Sequence, residues 1–324
     1  MTNFQVYKKT LSYSLVMFGL SLLALAILAG IMSGGYFLFD KYLNTDGDGL
    51  IGLAVGFVVG IIFLILFNIF VTNRIKAAQI AMMTKGVVDD ELPEHTFKEG
   101  FKEVKGRFGK LTLFFMVTGA IKGIFRQLGR NLNRVGRAVG GKTGESITSI
   151  IDSAIQTLVA YLCDCCLGWV MYHREKKMSQ AACEGAVIFF KHGKTLLKNA
   201  GRIFGIAAVS FLVIGGAFFG ISYLILNGSP MFQSLTDEIA ALFETGDLPE
   251  FFKTPVGVTI IVSAFIAIML WTSVHSVLIR PFILIGVLRN YMKAGLAEKI
   301  SDADLIELDA KSPKFAKLRQ KEGI

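Results

Sequence analysis

Four long apolar runs, at residues 11–39, 49–72, 204–227 and 256–279, constrain this chain more than any other feature. Each is at least as long as the roughly 20 residues a helix needs to cross the hydrocarbon core of a bilayer. Inside that core every backbone N–H and C=O has to be bonded within its own segment, so runs of this kind become helices. The expected fold is all-α, a polytopic integral membrane helix bundle. Composition points the same way: 53% of the 324 residues are hydrophobic, only 18% are charged, and the mean hydropathy is +0.56. A soluble domain carries about a quarter of its residues as charges.

Lys8 and Lys9 precede the first run, and Ala24-Leu25-Ala26 inside it has the form of a signal-peptidase site. The apolar stretch continues far beyond that site to Phe39, which reads as an uncleaved first span.

Charge sets the expected orientation. The net charge is +9. In a membrane protein such an excess marks cytoplasmic loops facing anionic lipid, so it is not read as a nucleic-acid footprint. Residues 73–110 carry Arg74, Lys76, Lys85, Lys98, Lys102, Lys105, Arg107 and Lys110, and residues 172–203 carry Arg174, Lys176, Lys177, Lys191, Lys194, Lys198 and Arg202. Both are expected to be cytoplasmic linkers. The segment after the third long run holds Asp237, Glu238, Glu244, Asp247 and Glu250 and is expected outside. This leaves the N- and C-termini cytoplasmic, and residues 1–290 as one transmembrane domain followed by a small cytoplasmic tail, 291–324. In that tail Ser301 is placed to cap a short helix with Asp302 and Asp304 in its first turn.

Two further apolar segments, 111–128 and 147–171, lie between the two basic linkers, and parity requires that both cross or neither does. A faint repeat bears on the choice. Lys98-x-Gly100-x4-Lys105-Gly106-Arg107-Phe108-Gly109 parallels Lys191-x-Gly193-x4-Lys198-x2-Gly201-Arg202-x-Phe204-Gly205, and each precedes an apolar run. A basic amphipathic helix at the interface, a glycine bend and entry into the bilayer would then occur twice. The expectation is six transmembrane helices with basic amphipathic interfacial helices; the alternative keeps 111–171 on the cytoplasmic side as an interfacial or re-entrant unit.

Several elements are candidates for function. Gly52, Gly56 and Gly60 line one helix face, as do Gly216 and Gly220, a spacing that lets a neighbouring backbone approach closely, within the chain or in an oligomer. Asp164 lies within the apolar run 147–171, where a carboxylate needs a partner or water. Lys122 and His275 are its expected partners, and together they form the candidate intramembrane polar site. Cys163, Cys165 and Cys166 flank Asp164, but only Cys163 and Cys166 share a helix face, and no second cysteine or histidine pair accompanies them, so no metal is expected. Residues 44–51 match the first half of a calcium loop, yet the twelfth position is Val55 where a glutamate should stand, so a solvated turn is expected. Arg126, Arg130, Arg134 and Arg137 recur at helical spacing with Leu128, Leu132 and Val135 between them, a pattern suited to an anionic lipid surface or an acidic partner.

No G-x-S-x-G, HExxH or phosphate-binding loop is present, so an enzyme is not expected, and no cofactor is implied. Two functions compete. A transporter or channel moving a small solute, ion or lipid follows from the repeat, the glycine-lined helices and Asp164. A non-catalytic scaffold or accessory subunit of a membrane complex, bound to anionic lipid or partner proteins, follows from the basic interfacial segments. The partners expected are anionic membrane lipids, with homo-oligomers or complex subunits beside them and no nucleic acid.

Overall fold

The computed structural model describes residues 1–43, 48–108, 118–124, 145–197, 200–243 and 249–322, and among these there is no strand. The chain divides into two compact units, Met1–Gly201 with Pro281–Ile324, and Arg202–Arg280. Among the described residues four helical runs are long and apolar enough to cross a bilayer: Asn3–Lys41, Gly49–Val88, Gly205–Gly228 and Pro255–Ala297. In the most apolar stretch of the first three, 17% of the residues are buried, and in the fourth 28%. Apolar helices left this bare have the make-up of a membrane protein.

In the first unit α1 (Asn3–Leu43) and α2 (Asp48–Phe67) form a hairpin. Their approach depends on missing side chains. A methyl group added at Gly56 would lie 2.8 Å from the Ile31 carbonyl oxygen and 2.9 Å from Met32 Cα, while Gly52 meets the Gly35 backbone and Gly60 the Leu28 side chain. The outer faces are apolar as well: Leu22, Leu23 and Leu38 on α1, and Ile51, Val58, Ile62 and Ile65 on α2, are exposed.

α2 continues through a π-helical turn, Asn68–Thr72, into α3 (Asn73–Val88). The run Gly49–Val88 has 40 residues, about 60 Å at 1.5 Å per residue. That is twice the ~30 Å of a hydrocarbon core. Its second half is enclosed by protein, with Ala77, Ala78, Ile80, Met82 and Met83 buried. Against it pack α1, α4 (Thr96–Phe108) and α5 (Glu145–Tyr172); α6 (Met178–Leu197) packs on α5, and α11 (Arg280–Ala297) enters this unit at Pro281. Leu162, Cys166 and Val170 of α5, Ala186 and Ile188 of α6, and Ile285, Leu288 and Tyr291 of α11 form a closed core. α1 joins it at its start, where Val6, Tyr13 and Ser14 are buried, Tyr13 donates to the Thr96 carbonyl at 2.5 Å and Gln79 donates to Ser14 Oγ at 2.8 Å.

Polar contacts seal this body. The last carbonyls of a helix have no partner within it. At the end of α5 the Arg107 guanidinium supplies one, donating to the carbonyls of Val170 (3.0 Å), His173 (3.0 Å), Arg174 (3.2 Å) and Lys176 (3.0 Å). Arg174 pairs with Glu103, and buried Glu184 takes Lys176 at 2.7 Å and the Trp169 indole at 3.4 Å.

Residues 291–324 differ from the polar tail expected from sequence. The expected boundary at 290 falls inside α11, and the chain beyond it belongs to the first unit. Ser301 caps α12 (Asp302–Lys311) in a reciprocal box with Asp304, and α13 (Pro313–Glu322) follows. Leu308 and Phe315 are fully buried, Lys311 sits 4.0 Å over the Phe190 ring, and Lys191 of α6 binds both Glu298 (2.7 Å) and Asp304 (2.8 Å). His192 adds a contact of 3.0 Å to Glu298. The hydrogen bond from Lys191, followed by those from Ser301, holds the Asp304 carboxyl at about 2, and bonds from Lys191 and His192 lower Glu298.

The second unit contains α7 (Ala200–Ser210), a π-helical turn Phe211–Gly215, α8 (Gly216–Gly228), α9 (Pro230–Phe243) and α10 (Pro255–Val274) with a π-helical turn His275–Ile279. Thr254 starts α10 by accepting from Gly257 N–H at 3.1 Å, with Pro255 in the first turn where its missing N–H costs nothing. α8 packs along α10. Leu212, Val213, Leu224 and Ile225 on one side and Phe265 and Ile268 on the other stay exposed.

Of the additional spans expected at 111–128 and 147–171, the first is described only over 118–124, which is helical. The second lies within α5, a helix of 28 residues.

Candidate functional site

The chemistry of the first unit concentrates where the bare helix α2 becomes the enclosed helix α3. Exposure falls abruptly there, from 51% at Phe70 to 6% at Ile75. The sequence changes in step, since α2 beyond its first residue carries no charge and α3 begins Asn73-Arg74-Ile75-Lys76. A π-helical turn occupies the junction, and such turns gather at functional sites because they break the regular side-chain register.

Lys76 points to α5, where its Nζ lies 2.7 Å from Asp164 Oδ1. The carboxylate is 10% exposed and the lysine 30%. A carboxylate in an apolar helix is costly unless paired. Here the pair forms the wall of a cavity of about 240 Å³ that also receives Asn73, Thr118 and Lys122, with Ile69, Ala77, Ile121 and Leu167 as its apolar lining. The cavity wall thus brings together two lysines, a carboxylate, an amide and a hydroxyl.

The residues singled out from sequence are distributed unevenly over this geometry. Asp164 and Lys122 line the same cavity. The carboxylate's ion-pair partner at 2.7 Å is Lys76, a residue of the basic segment 73–110. His275 stands in the second unit, in the π-helical turn after α10, with its ring 5.2 Å from Trp271 and, among the described residues, its Nε2 without a hydrogen-bond partner. Trp271 in turn donates to Ser210 at 3.3 Å. Asn73 and Thr118 carried no signal of their own, although Asn73 and Lys76 are spaced i, i+3 directly after an apolar run, which places them on one helix face at its exit.

Gly52, Gly56 and Gly60 face α1, whereas Gly216 and Gly220 have nothing within 4 Å of where a methyl would stand. Gly215 next to them lies against the Phe211 ring of its own turn. Arg126, Arg130, Arg134 and Arg137, and the loop 44–47, lie outside the described residues. Cys163 lines the cavity, while Cys165, Cys166 and Cys183 are enclosed in the core, where Cys166 Sγ approaches the Ala182 carbonyl at 3.6 Å. Among the described residues no three metal-ligating side chains are grouped.

Comparison with known protein families, with curated proteins and with solved structures finds no match to this chain.

Proposed function

We propose that the chain is a multi-pass, non-catalytic membrane scaffold or accessory subunit, inserted through four helices and bound to anionic lipid or partner proteins through its basic linkers, with both termini cytoplasmic. The observation that carries this reading is the contrast between apolar surfaces. The bare apolar surface belongs to the four long helices, whereas Tyr161–Met171 of α5 is wrapped on all sides by a body held with ion pairs such as Lys76–Asp164, Lys176–Glu184 and Arg174–Glu103. A lipid-facing span would leave part of its circumference bare, and charged seals of this kind belong in an aqueous setting. This supports four spans, with residues 111–171 on the cytoplasmic side, over the six-span arrangement. In this reading Arg126, Arg130, Arg134 and Arg137 face the anionic leaflet or a partner. Reversing Arg126, Arg130 and Arg134 to glutamate should release partners or weaken the preference for anionic lipid by at least tenfold, since each basic group near the surface contributes about 1 kcal/mol. Undiminished binding would remove these residues from the proposal.

A transporter-like reading, moving a small solute, ion or lipid, is favoured by one observation, the buried Asp164 at the wall of a cavity beside a broken helix. It makes a separate demand. Asp164→Asn, which keeps the shape and removes the charge, should abolish flux in proteoliposomes while the protein still folds; unaltered flux would exclude Asp164 from any transport mechanism.

A further inference from the structure

We infer that α4 is a docking rib for an acidic helical segment of a partner protein, with Lys98, Lys102 and Lys105 as the residues that meet its carboxylates. The inference rests on the scaffold reading above and names the kind of partner and the surface it meets.

The two faces of α4 supply the first argument. Thr96, Gly100, Val104 and Phe108 are buried, while Lys98, Lys102 and Lys105, spaced i, i+4 and i+7, are exposed along the opposite side. The carboxylates nearby leave this row basic. Glu103 is paired with Arg174, Glu94 stands in the turn before the helix, and Glu99 lies 3.6 Å from Lys102, whose side chain is still 77% exposed. Phe97 and Phe101 flank the lysines, half-buried, with their rings 5.1 Å apart and both against Tyr13. A row of cations beside aromatic surface matches an acidic helix that also carries an apolar residue. The row is held in place before any partner arrives, since Arg107 ties the end of α4 to α5 and Gly100 fits so closely that a methyl there would lie 2.9 Å from the Ala78 carbonyl oxygen. Binding then costs little ordering of the backbone.

Height above the bilayer decides between protein and lipid. Gly100 lies at the level of Ala78 on α3, and Arg107 reaches the carbonyls of Val170 and His173 at the end of α5, where Tyr172 donates to Asp89 at 3.0 Å. α4 therefore rises alongside α3 from Ala78 to Asp89. At 1.5 Å per residue those levels stand about 8 and 24 Å beyond Asn73, where the bare helix gives way to the enclosed one. The potential of an anionic leaflet decays within a Debye length, about 8 Å at physiological ionic strength. Lys98 is near that limit, and Lys102 and Lys105 are past it, so the row is addressed to protein.

The test uses the purified full-length chain in phosphatidylcholine nanodiscs and two fluorescein-labelled helical peptides of one composition. The first carries glutamates at i, i+4 and i+7 beside a leucine; the second has the same residues permuted around the helix. Anisotropy titration at low salt should show saturable binding of the first peptide, tighter than that of the second. It should be about tenfold weaker in the combined variant Lys98→Gln, Lys102→Gln and Lys105→Gln, and retained when the three are replaced by arginine. In discs containing phosphatidylglycerol the glutamine variant should keep the wild-type selectivity for spin-labelled phosphatidylglycerol over phosphatidylcholine. A wild-type chain that binds neither peptide, or binds both equally, or binds the first no better than the glutamine variant does, would overturn the rib. Loss of anionic-lipid selectivity in the glutamine variant would make the bilayer the occupant and overturn it as well, with the lipid-binding reading left standing. That reading fails separately, through undiminished binding when Arg126, Arg130 and Arg134 are reversed.

Discussion

Helices α2 and α5 both carry long apolar stretches and live in opposite surroundings. Residues 52–66 of α2 expose Val55, Val58, Val59, Ile62 and Ile65 at 45–58% of their surface, whereas from Tyr161 to Met171 in α5 the hydrophobic side chains are 8% exposed or less. Apolar character says that a helix avoids water; it does not say whether lipid or protein replaces the water. The difference lies in neighbours. The surroundings of Tyr161–Met171 carry Lys76, Arg107, Lys176 and Glu184 in bonded contacts. Among the described residues, α2 packs along α1 and leaves its outer face bare.

The sharpest way to break this comparison is to truncate one residue from each kind of surface. Leu162→Ala removes a fully buried side chain from α5 and should cost about 2–5 kcal/mol of stability, the range for buried leucines. Leu224→Ala, at a position 71% exposed on α8, should cost less than about 0.5 kcal/mol. Thermal unfolding in detergent distinguishes them, and equal losses would mean that α5 is no more enclosed than the bare helices.

A second pair separates glycines with the same spacing. Gly56→Leu drives a side chain against the Ile31 carbonyl and Met32 Cα and should destabilise the α1–α2 hairpin by about 1–3 kcal/mol. Gly220→Leu meets open space and should change stability by less than about 0.5 kcal/mol. A large effect at Gly220 would show that α8 has a partner along that face.

The smallest effect expected is at the polar edge of the enclosed region, where α12 is tied to α6. Asp304 has a folded-state value of about 2 against an ordinary 3.8, so its contribution is complete above about pH 4 and is lost as pH falls towards 2. Pepsin cleavage near Leu308 and Phe315 should therefore rise between pH 4 and pH 2 in the wild type. In Asp304→Asn cleavage should already be raised at pH 4 and should rise less below it. An identical profile in both would show that Lys191 does not secure α12.

The apolar helices were legible because length and hydropathy are properties of a segment by itself. So was the cap at Ser301, whose partner Asp304 is three residues away. The extent of the helices was not legible. Hydropathy drops at Asn73, which reads as a linker, but the helix continues to Val88 because α1, α4 and α5 enclose it and its polar residues find partners there, Gln79 at Ser14 and Lys76 at Asp164. For the same reason the partner of Asp164 was hidden among the many basic residues of 73–110: pairing across helices depends on register and packing, and no local pattern in a single sequence records it. Residues 291–324 looked polar because their apolar positions, Leu305, Leu308 and Phe315, are few and spaced for one narrow face.

The central claim, that the segment containing α5 stays on the side of the basic linkers, is tested most directly by single cysteines at Asn133 and Thr195. Cys163, Cys165, Cys166 and Cys183 would be replaced by alanine, and a membrane-impermeant thiol reagent applied to intact cells. Both positions should be protected and both should label once the membrane is permeabilised. Labelling of Asn133 from outside with Thr195 protected would establish two further crossings between them and contradict the account.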